Sequence, residues 1–304
     1  MTKVRTLINR DALRIEEDHR FWSDDHQMSG GDKAFAGGDV VFCKIDQVLW
    51  FFEQLRMTRK RVILVTGEGD LPCDEIRQQF LPANVDHWFA TNVTHAHPKV
   101  TALPLGLGAS SDPVTLSGDP IVTGRNQALP RGKWLYVNFR TLTNPSVRQP
   151  VFDHFERLSE SESWITMVKS VEFGGNEEFL RNLLSHRFVI CPPGNGVDTH
   201  RMWESLAAGA IPVVLRSEAM EPFKELPILL VDRYEEVTLG LLEEAAGRIS
   251  AAKPEDPMLQ SEFWAGKIRA AKQALKGRAM MPWWEWIKES VMYGPGMISR
   301  RIFA

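Results

Sequence analysis

The sequence predicts an α/β chain of parallel sheets with helices on both faces, and three observations carry that prediction. Short apolar runs alternate with segments of helical periodicity along most of the chain, the pattern of βαβ units. The stretch 187–215, RFVICPPGNGVDTHRMWESLAAGAIPVVL, reads as strand, glycine-containing turn, helix and strand. A length of 304 residues accommodates one large domain or two of about 150 residues, each able to bury a core.

The 187–215 stretch organises the rest. Phe188 to Cys191 is apolar and stops at Pro192-Pro193, which cannot continue a sheet interior. Gly194 and Gly196 let the backbone pass close to a ligand. Asp198 or Thr199 suits the cap of a helix running to about Ala208, Gly209 is its stop, and Ile211 to Leu215 is a second buried strand. A strand, a crossover helix and another strand make a right-handed parallel unit. Ligands in such sheets bind where the turn after a strand meets a helix N-terminus.

Arg201 and Glu204 stand three apart on that helix and share a face. A cation beside a helix N-terminus suits a diphosphate, and a carboxylate one turn later suits ribose hydroxyls. The spacing alone fits an ordinary surface ion pair equally well; the glycine turn in front of it favours a nucleotide site. Gly194-Asn195-Gly196 is not the dinucleotide fingerprint, because no third glycine follows at the required place.

CPPGNGVDTHRMWESLAAGAIPVV closely resembles the donor-side motif of exostosin-type glycosyltransferases, in which a proline/glycine turn, an Asp-Thr, an Arg and a Trp-Glu precede an Ile-Pro-Val-Val strand. The resemblance is specific over 188–215 and extends more weakly to Trp88-Phe89-Ala90-Thr91-Asn92, Leu103-Pro104-Leu105-Gly106 and Tyr136-Val137-Asn138-Phe139-Arg140. It implies two Rossmann-like domains facing a cleft, the GT-B arrangement, with an acceptor on the N-terminal domain and a nucleotide-sugar on the C-terminal one. The donor implied is a UDP-sugar, with no further cofactor required, and the acceptor a glycan or other hydroxyl compound. The resemblance also implies that a C-terminal tail crosses back to the first domain.

Composition narrows the class. With 43% hydrophobic and 25% charged residues, the chain is an ordinary globular one. A net charge of −3 argues against a general nucleic-acid or anionic-membrane binder, which would carry a basic excess. Cys43, Cys73 and Cys191 are odd in number and far apart, which gives neither a zinc spacing nor a disulfide framework. No signal-peptide core and no run of about 18 apolar residues occurs, so no transmembrane segment is expected, although peripheral contact with a membrane stays open. Cytoplasmic placement is the expectation, in contrast to the membrane-anchored animal exostosins.

In chain order, strands are expected at Val40–Cys43, Arg61–Thr66, Trp88–Ala90 and Val100–Leu105, with helices at Asp46–Arg56 and Asp74–Phe80. Residues from about 109 to 132, rich in Ser, Asp, Pro and Gly, form the expected domain boundary. Strands follow at Lys133–Phe139, Trp164–Val168 and Ile228–Val231, and helices at Ser146–Arg157, Glu177–Ser185, Leu239–Ile249 and Ser261–Lys276. The expected domains are therefore 1–120 on the acceptor side and 121–280 on the nucleotide side, with a tail, 281–304, packing back on the first.

The candidate donor-site residues are Asn138, Arg140, Asn195, Gly196, Thr199, Arg201 and Glu204, with Arg148 a weaker phosphate ligand. An arginine can fork onto two phosphate oxygens, although a surface role explains Arg140 and Arg148 as simply. Glu68 and Asp70 follow the 61–66 strand at its carboxyl end, where a carboxylate serves as the base that takes an acceptor hydroxyl proton. A solvated glycine turn explains them equally well. A divalent-metal role is a rival reading, weakened because the triplet starts with Glu and the phosphate candidates lie elsewhere. His95 and His97, with His87 upstream, lack further ligands at metal spacing, so no metal site is expected. A non-catalytic glycan-binding protein on a transferase fold is the remaining alternative.

Overall fold

The computed structural model describes residues 7–9, 16–21, 28–29, 35–108, 116, 118–126, 131–169, 176–253 and 255–292. Much of the expected 109–132 linker and the end of the tail, 293–304, lie outside these residues. The chain falls into two compact units, Asp11–Leu103 with Trp264–Ala304, and Met1–Arg10 with Pro104–Phe263. The division between Leu103 and Pro104 precedes the boundary at 120 expected from composition.

The first unit holds β1 (His19–Phe21), β2 (Met28–Ser29), β3 (Val40–Lys44), β4 (Val62–Gly67), β5 (Val85–Ala90) and β6 (Val100–Ala102), in sheet order β2-β1-β3-β4-β5-β6. Every pairing is parallel except β1 with β2. β4 is buried along its whole length, which is why it reads as a continuous apolar run rather than an alternation. β1 escapes the sequence reading because three residues show no period. On α1 (Val48–Arg56) the residues Val48, Phe51, Phe52 and Leu55 are buried. Phe51 meets Phe21 at 5.3 Å, and Phe52 meets Trp88 edge-on at 5.5 Å. The indole Nε1 of Trp88 donates to Thr66 Oγ1 at 2.9 Å, so this buried polar atom is satisfied. α2 (Glu75–Gln78) is capped by Asp74, which accepts from the Arg77 N–H at 3.0 Å.

The second unit contains α3 (Gly118–Asn126), β7 (Lys133–Val137), α4 (Pro145–Ser159), β8 (Ile165–Met167), α5 (Asn176–Ser185), β9 (His186–Ile190), α6 (His200–Ala208), β10 (Ile211–Leu215), β11 (Leu229–Val231) and α7 (Leu239–Arg248). Its five strands are all parallel, in the order β11-β10-β9-β7-β8. This is the doubly wound order in which the direction of winding reverses between the first and third strands, here β7 and β9. Both units are thus Rossmann-like α/β structures. Leu135, Val137, Phe155, Phe188, Ile190 and Val213 form the core of the second one.

α3 lies within the stretch 109–132, for which the sequence shows no sustained periodicity. Its sequence, GDPIVTGRN, has two glycines and a proline and poor intrinsic propensity. Tertiary contacts hold it instead: Ile121 is fully buried, and Arg125 Nη1 donates to Ala207 O at 2.9 Å. α6 ends as expected at Gly209, whose φ of 81° is left-handed and favours glycine. Arg131 donates to the carbonyl of Ala208, so Arg125 and Arg131 satisfy the last carbonyls of α6 with positive charge at its negative end.

α8 (Ser261–Ala274) and α9 (Trp283–Met292) complete the described chain. α9 lies in the first unit against α1. Trp286 Nε1 donates to Arg56 O at 2.8 Å, Arg56 Nε to Glu289 at 3.2 Å, and Arg61 Nη2 to Glu285 at 2.8 Å. No described helix is long and apolar enough to cross a membrane.

Candidate functional site

The segments leaving the carboxyl ends of β7 and β9 flank the switch point of the second sheet, where ligands of doubly wound folds bind. Asn138-Phe139-Arg140 follows β7, and Cys191 to Thr199 leads from β9 into α6. A set of side chains from elsewhere in the unit fixes this second segment. Arg148, on α4, is only 8% exposed. It donates from Nε to Pro193 O (2.9 Å), from Nη2 to Pro192 O (3.1 Å) and from Nη1 to Arg140 O (3.0 Å). Asn144 Nδ2 reaches Gly194 O at 2.8 Å, and the Tyr234 hydroxyl donates to Cys191 O at 3.0 Å. A Cβ at Gly194 would lie 3.0 Å from Arg148 Nη2, so a side chain there would press on the brace.

Arg148, expected as a weaker phosphate ligand, braces this segment, each of its three nitrogens donating to a carbonyl. Burial, with Arg201 nearby, pushes its guanidinium down to about 10, so it stays cationic at neutral pH.

Arg201 has a different setting. Its Nη1 donates to the backbone carbonyl of Asn138 and lies 3.3 Å from Asn138 Oδ1. The guanidinium stacks on the Phe179 ring at 4.2 Å from the centroid, a cation–π contact. Its Nε is buried 3.6 Å from Glu204 Oε2, an ion-pair distance longer than a hydrogen bond. The side chain keeps 19% of its surface, and among the described residues Nη2 has no hydrogen-bond partner. Asn138, 4% exposed, spends its own Nδ2 on Val168 O at 3.1 Å.

Glu204 was expected to hold ribose or sugar hydroxyls. In the structure the residue is 2% exposed, and Oε1 accepts from the Leu116 N–H at 2.8 Å. Its carboxylate is turned to the chain and to Arg201 rather than outward. Thr199 occupies the N-cap position of α6 in extended backbone, but its hydroxyl makes no cap bond. The neighbouring Asp198 is an anchor: Oδ2 accepts from Leu105 N and Oδ1 from Trp203 Nε1, both at 2.7 Å. Burial raises its carboxyl to about 6 against the opposing pull of these bonds and of His200. His200 Nδ1 lies 2.7 Å from Gly106 O, so the Leu105–Gly106 segment is held to the start of α6.

Asn195 is exposed, and Gly196, Thr199 and Arg140 are partly so. The structure thus brings Asn138, Arg201 and Glu204 into direct contact and places Arg140, Asn195, Gly196 and Thr199 on the same two segments. Glu68 and Asp70 belong to the first unit, after β4. Glu68 is partly buried with a left-handed φ of 56°, and Asp70 is exposed. A Cβ at Gly69 between them would lie 2.7 Å from Ile45 Cγ2 and 2.8 Å from Asp46 Oδ1, so a side chain there would displace these neighbours.

Sequence reading missed Phe179 as the platform for Arg201, Asn144 and Tyr234 as supports of the loop, and the anchoring role of Asp198. Asp198 alone carried a signal, as a candidate cap. In the first unit, Glu75, Gln78, Gln79, Leu81, His95, His97 and Lys99 line a shallow recess of about 410 Å³. Among the described residues no three His, Cys, Asp or Glu side chains are grouped to hold a metal ion.

No protein-family model matches the chain, and no curated protein sequence does. Among solved structures it is similar to the UDP-GlcNAc 2-epimerase of Methanocaldococcus jannaschii, at 11% identity over 76% of this chain and 77% of that one, with a TM-score of 0.35. It is also similar to an α,α-trehalose-phosphate synthase (UDP-forming) from Burkholderia vietnamiensis, at 13% identity over 83% and 70% of the two chains, TM-score 0.36. A third is the pneumococcal O-GlcNAc transferase GtfA in complex with UDP and GlcNAc, at 11% identity over 88% and 56%, TM-score 0.32.

Proposed function

We propose that the chain is a glycosyltransferase of the exostosin type, moving a sugar from a UDP-linked donor to a hydroxyl acceptor such as a glycan. The observation that carries this reading is Arg201. It stands in the first turn of α6, is held onto Asn138 at the carboxyl end of β7, and retains an uncommitted Nη2 at the switch point. A guanidinium fixed there, beside the N–H groups at the start of α6, is preorganised positive charge for a diphosphate. The 188–215 motif resembles the donor-side motif of that family over the same residues.

In this reading Arg201, Arg140 and the turn at Asn195, Gly196 and Thr199 hold the diphosphate. Asn138 and Glu204 position Arg201. Transfer forms a bond between the acceptor oxygen and the anomeric carbon and breaks the bond from that carbon to the diphosphate. The fixed charge stabilises the leaving group, and the acceptor proton passes to a carboxylate, with Glu68 and Asp70 the candidates.

The test is thermal unfolding of wild type and Arg201→Ala with UDP, GDP, CDP and ADP in turn, with and without a divalent cation. A ligand at 100 times its dissociation constant adds about 2.7 kcal/mol to the native state. That raises the midpoint by roughly 2–4 °C per kcal/mol for domains of this size. A shift with UDP, independent of metal and lost in Arg201→Ala, is the expected result. The absence of a shift with every nucleotide overturns the donor site, and a shift that requires metal moves the reading to a metal-dependent transferase.

A further inference from the structure

We propose that the outward face of α9 is a docking surface for an anionic lipid bilayer. The helix is amphipathic with its apolar side turned away from the protein. Trp283 (63% exposed), Trp284 (53%), Ile287 (43%) and Val291 (79%) fall within one arc of about 100° on its surface. Met280, just ahead of the helix, is 51% exposed, and Met292 at its end is 63% exposed. So many large apolar groups on one exposed turn-and-helix exceed the scattered surface residues that need no explanation.

The inward side explains how the helix is held without them. Glu285 pairs with Arg61 and Glu289 with Arg56, and the Trp286 indole donates to the Arg56 carbonyl. Both acidic residues of α9 are thereby neutralised against the protein. On the exposed side only a base remains: Lys288, whose Nζ lies 5.2 Å from the centroid of the Trp284 ring. Lys276 and Arg278 are exposed in the turn that leads into the helix, Arg278 with its Nη2 3.8 Å from Asp86 Oδ2.

Charge selects the occupant. The chain has a net charge of −3, yet over residues 276–292 three bases, Lys276, Arg278 and Lys288, stand against two acids, Glu285 and Glu289. Those two are the acids already paired inward. Indole rings suit the boundary between headgroups and acyl chains, where one edge is apolar and the other meets water. Basic side chains flanking such a face draw it to anionic headgroups. A second copy of the same face would set like charges opposite one another, which disfavours self-association through it. The overall negative charge does not oppose the contact, because screening confines the interaction to charges within about 10 Å of the surface.

The experiment is co-sedimentation of the full chain with vesicles of phosphatidylcholine alone and of an equal mixture of phosphatidylcholine and phosphatidylglycerol. Wild type is expected to sediment with the mixed vesicles and not with phosphatidylcholine, and to be released by added salt. Combined Trp283→Ser, Trp284→Ser and Ile287→Ser substitution should lower binding by about tenfold or more, with circular dichroism unchanged because these side chains are exposed. Should that variant fail to fold, Lys276→Glu with Lys288→Glu reads the same surface through charge and should lose binding likewise. Wild type remaining in the supernatant overturns the proposal, as does undiminished binding by the folded variants. Sedimentation-velocity evidence of a dimer that the serine variant abolishes, without vesicle binding, assigns the face to a second copy and overturns it too.

Discussion

Arg201 ties the first turn of α6 to the carboxyl end of β7 by donating to Asn138, while its ring-stacked guanidinium on Phe179 keeps one edge outward. Arg201→Lys cannot reproduce this geometry, because an ammonium neither forks nor stacks as a guanidinium does. The expected outcome is loss of UDP-induced stabilisation and of transfer, with a stability cost of about 1–3 kcal/mol for the acceptors left behind. Full transfer by the lysine variant would show that point charge alone suffices at this position.

Arg148 predicts the opposite balance. Arg148→Met leaves the carbonyls of Pro192, Pro193 and Arg140 without their donor in a buried setting. A loss on the order of 2–3 kcal/mol in urea unfolding is expected, with weaker nucleotide binding as a secondary effect. A variant of unchanged stability that has lost UDP binding would instead return Arg148 to the phosphate ligands.

Two buried groups make opposing contributions to stability in mildly acidic solution. Burial raises Asp198 to about 6 from an ordinary value of 3.8, so the native state binds more protons than the unfolded chain, and stability falls as pH rises from about 4 to about 6. The full shift corresponds to about 3 kcal/mol. Burial lowers His186 to about 4 from 6.5, so the native state binds fewer protons, and stability rises from about pH 4 to 6.5. Relative to wild type, Asp198→Asn should steepen the rise in urea midpoint across this window, and His186→Gln should tilt it downward. Parallel profiles for wild type and both variants would mean that neither group titrates as its burial dictates.

Glu68 stands in the left-handed region at φ 56°, which costs a residue bearing a Cβ about 1–2 kcal/mol. Glu68→Gly should therefore raise the unfolding midpoint by roughly 1 kcal/mol in stability, while Glu68→Gln leaves it unchanged. If the carboxylate is the base, both variants lose kcat with the nucleotide-induced shift intact, and Asp70→Asn retains activity. The reverse pattern assigns the base to Asp70, and unaltered turnover in all three removes both from the chemistry.

Much of the fold was legible because its determinants are local. Buried parallel strands such as Val62–Gly67 announce themselves as apolar runs, α1 by its apolar face, and α6 by the glycine that only a left-handed cap requires. The position of Arg201 followed from the same local grammar, one turn into a helix behind a glycine loop. The roles of individual polar groups were not legible, because hydrogen-bond partners are chosen by folding across long separations. Nothing near Glu204 in the sequence points to the Leu116 N–H, and nothing near Arg148 to the carbonyls of Pro192 and Pro193. α3 formed against its own propensity because Ile121 is buried and Arg125 reaches the end of α6. Periodicity records which face of an element is apolar. Whether an element covers that face, as none of the described elements covers the outward side of α9, is settled by packing between segments that the chain brings together only on folding.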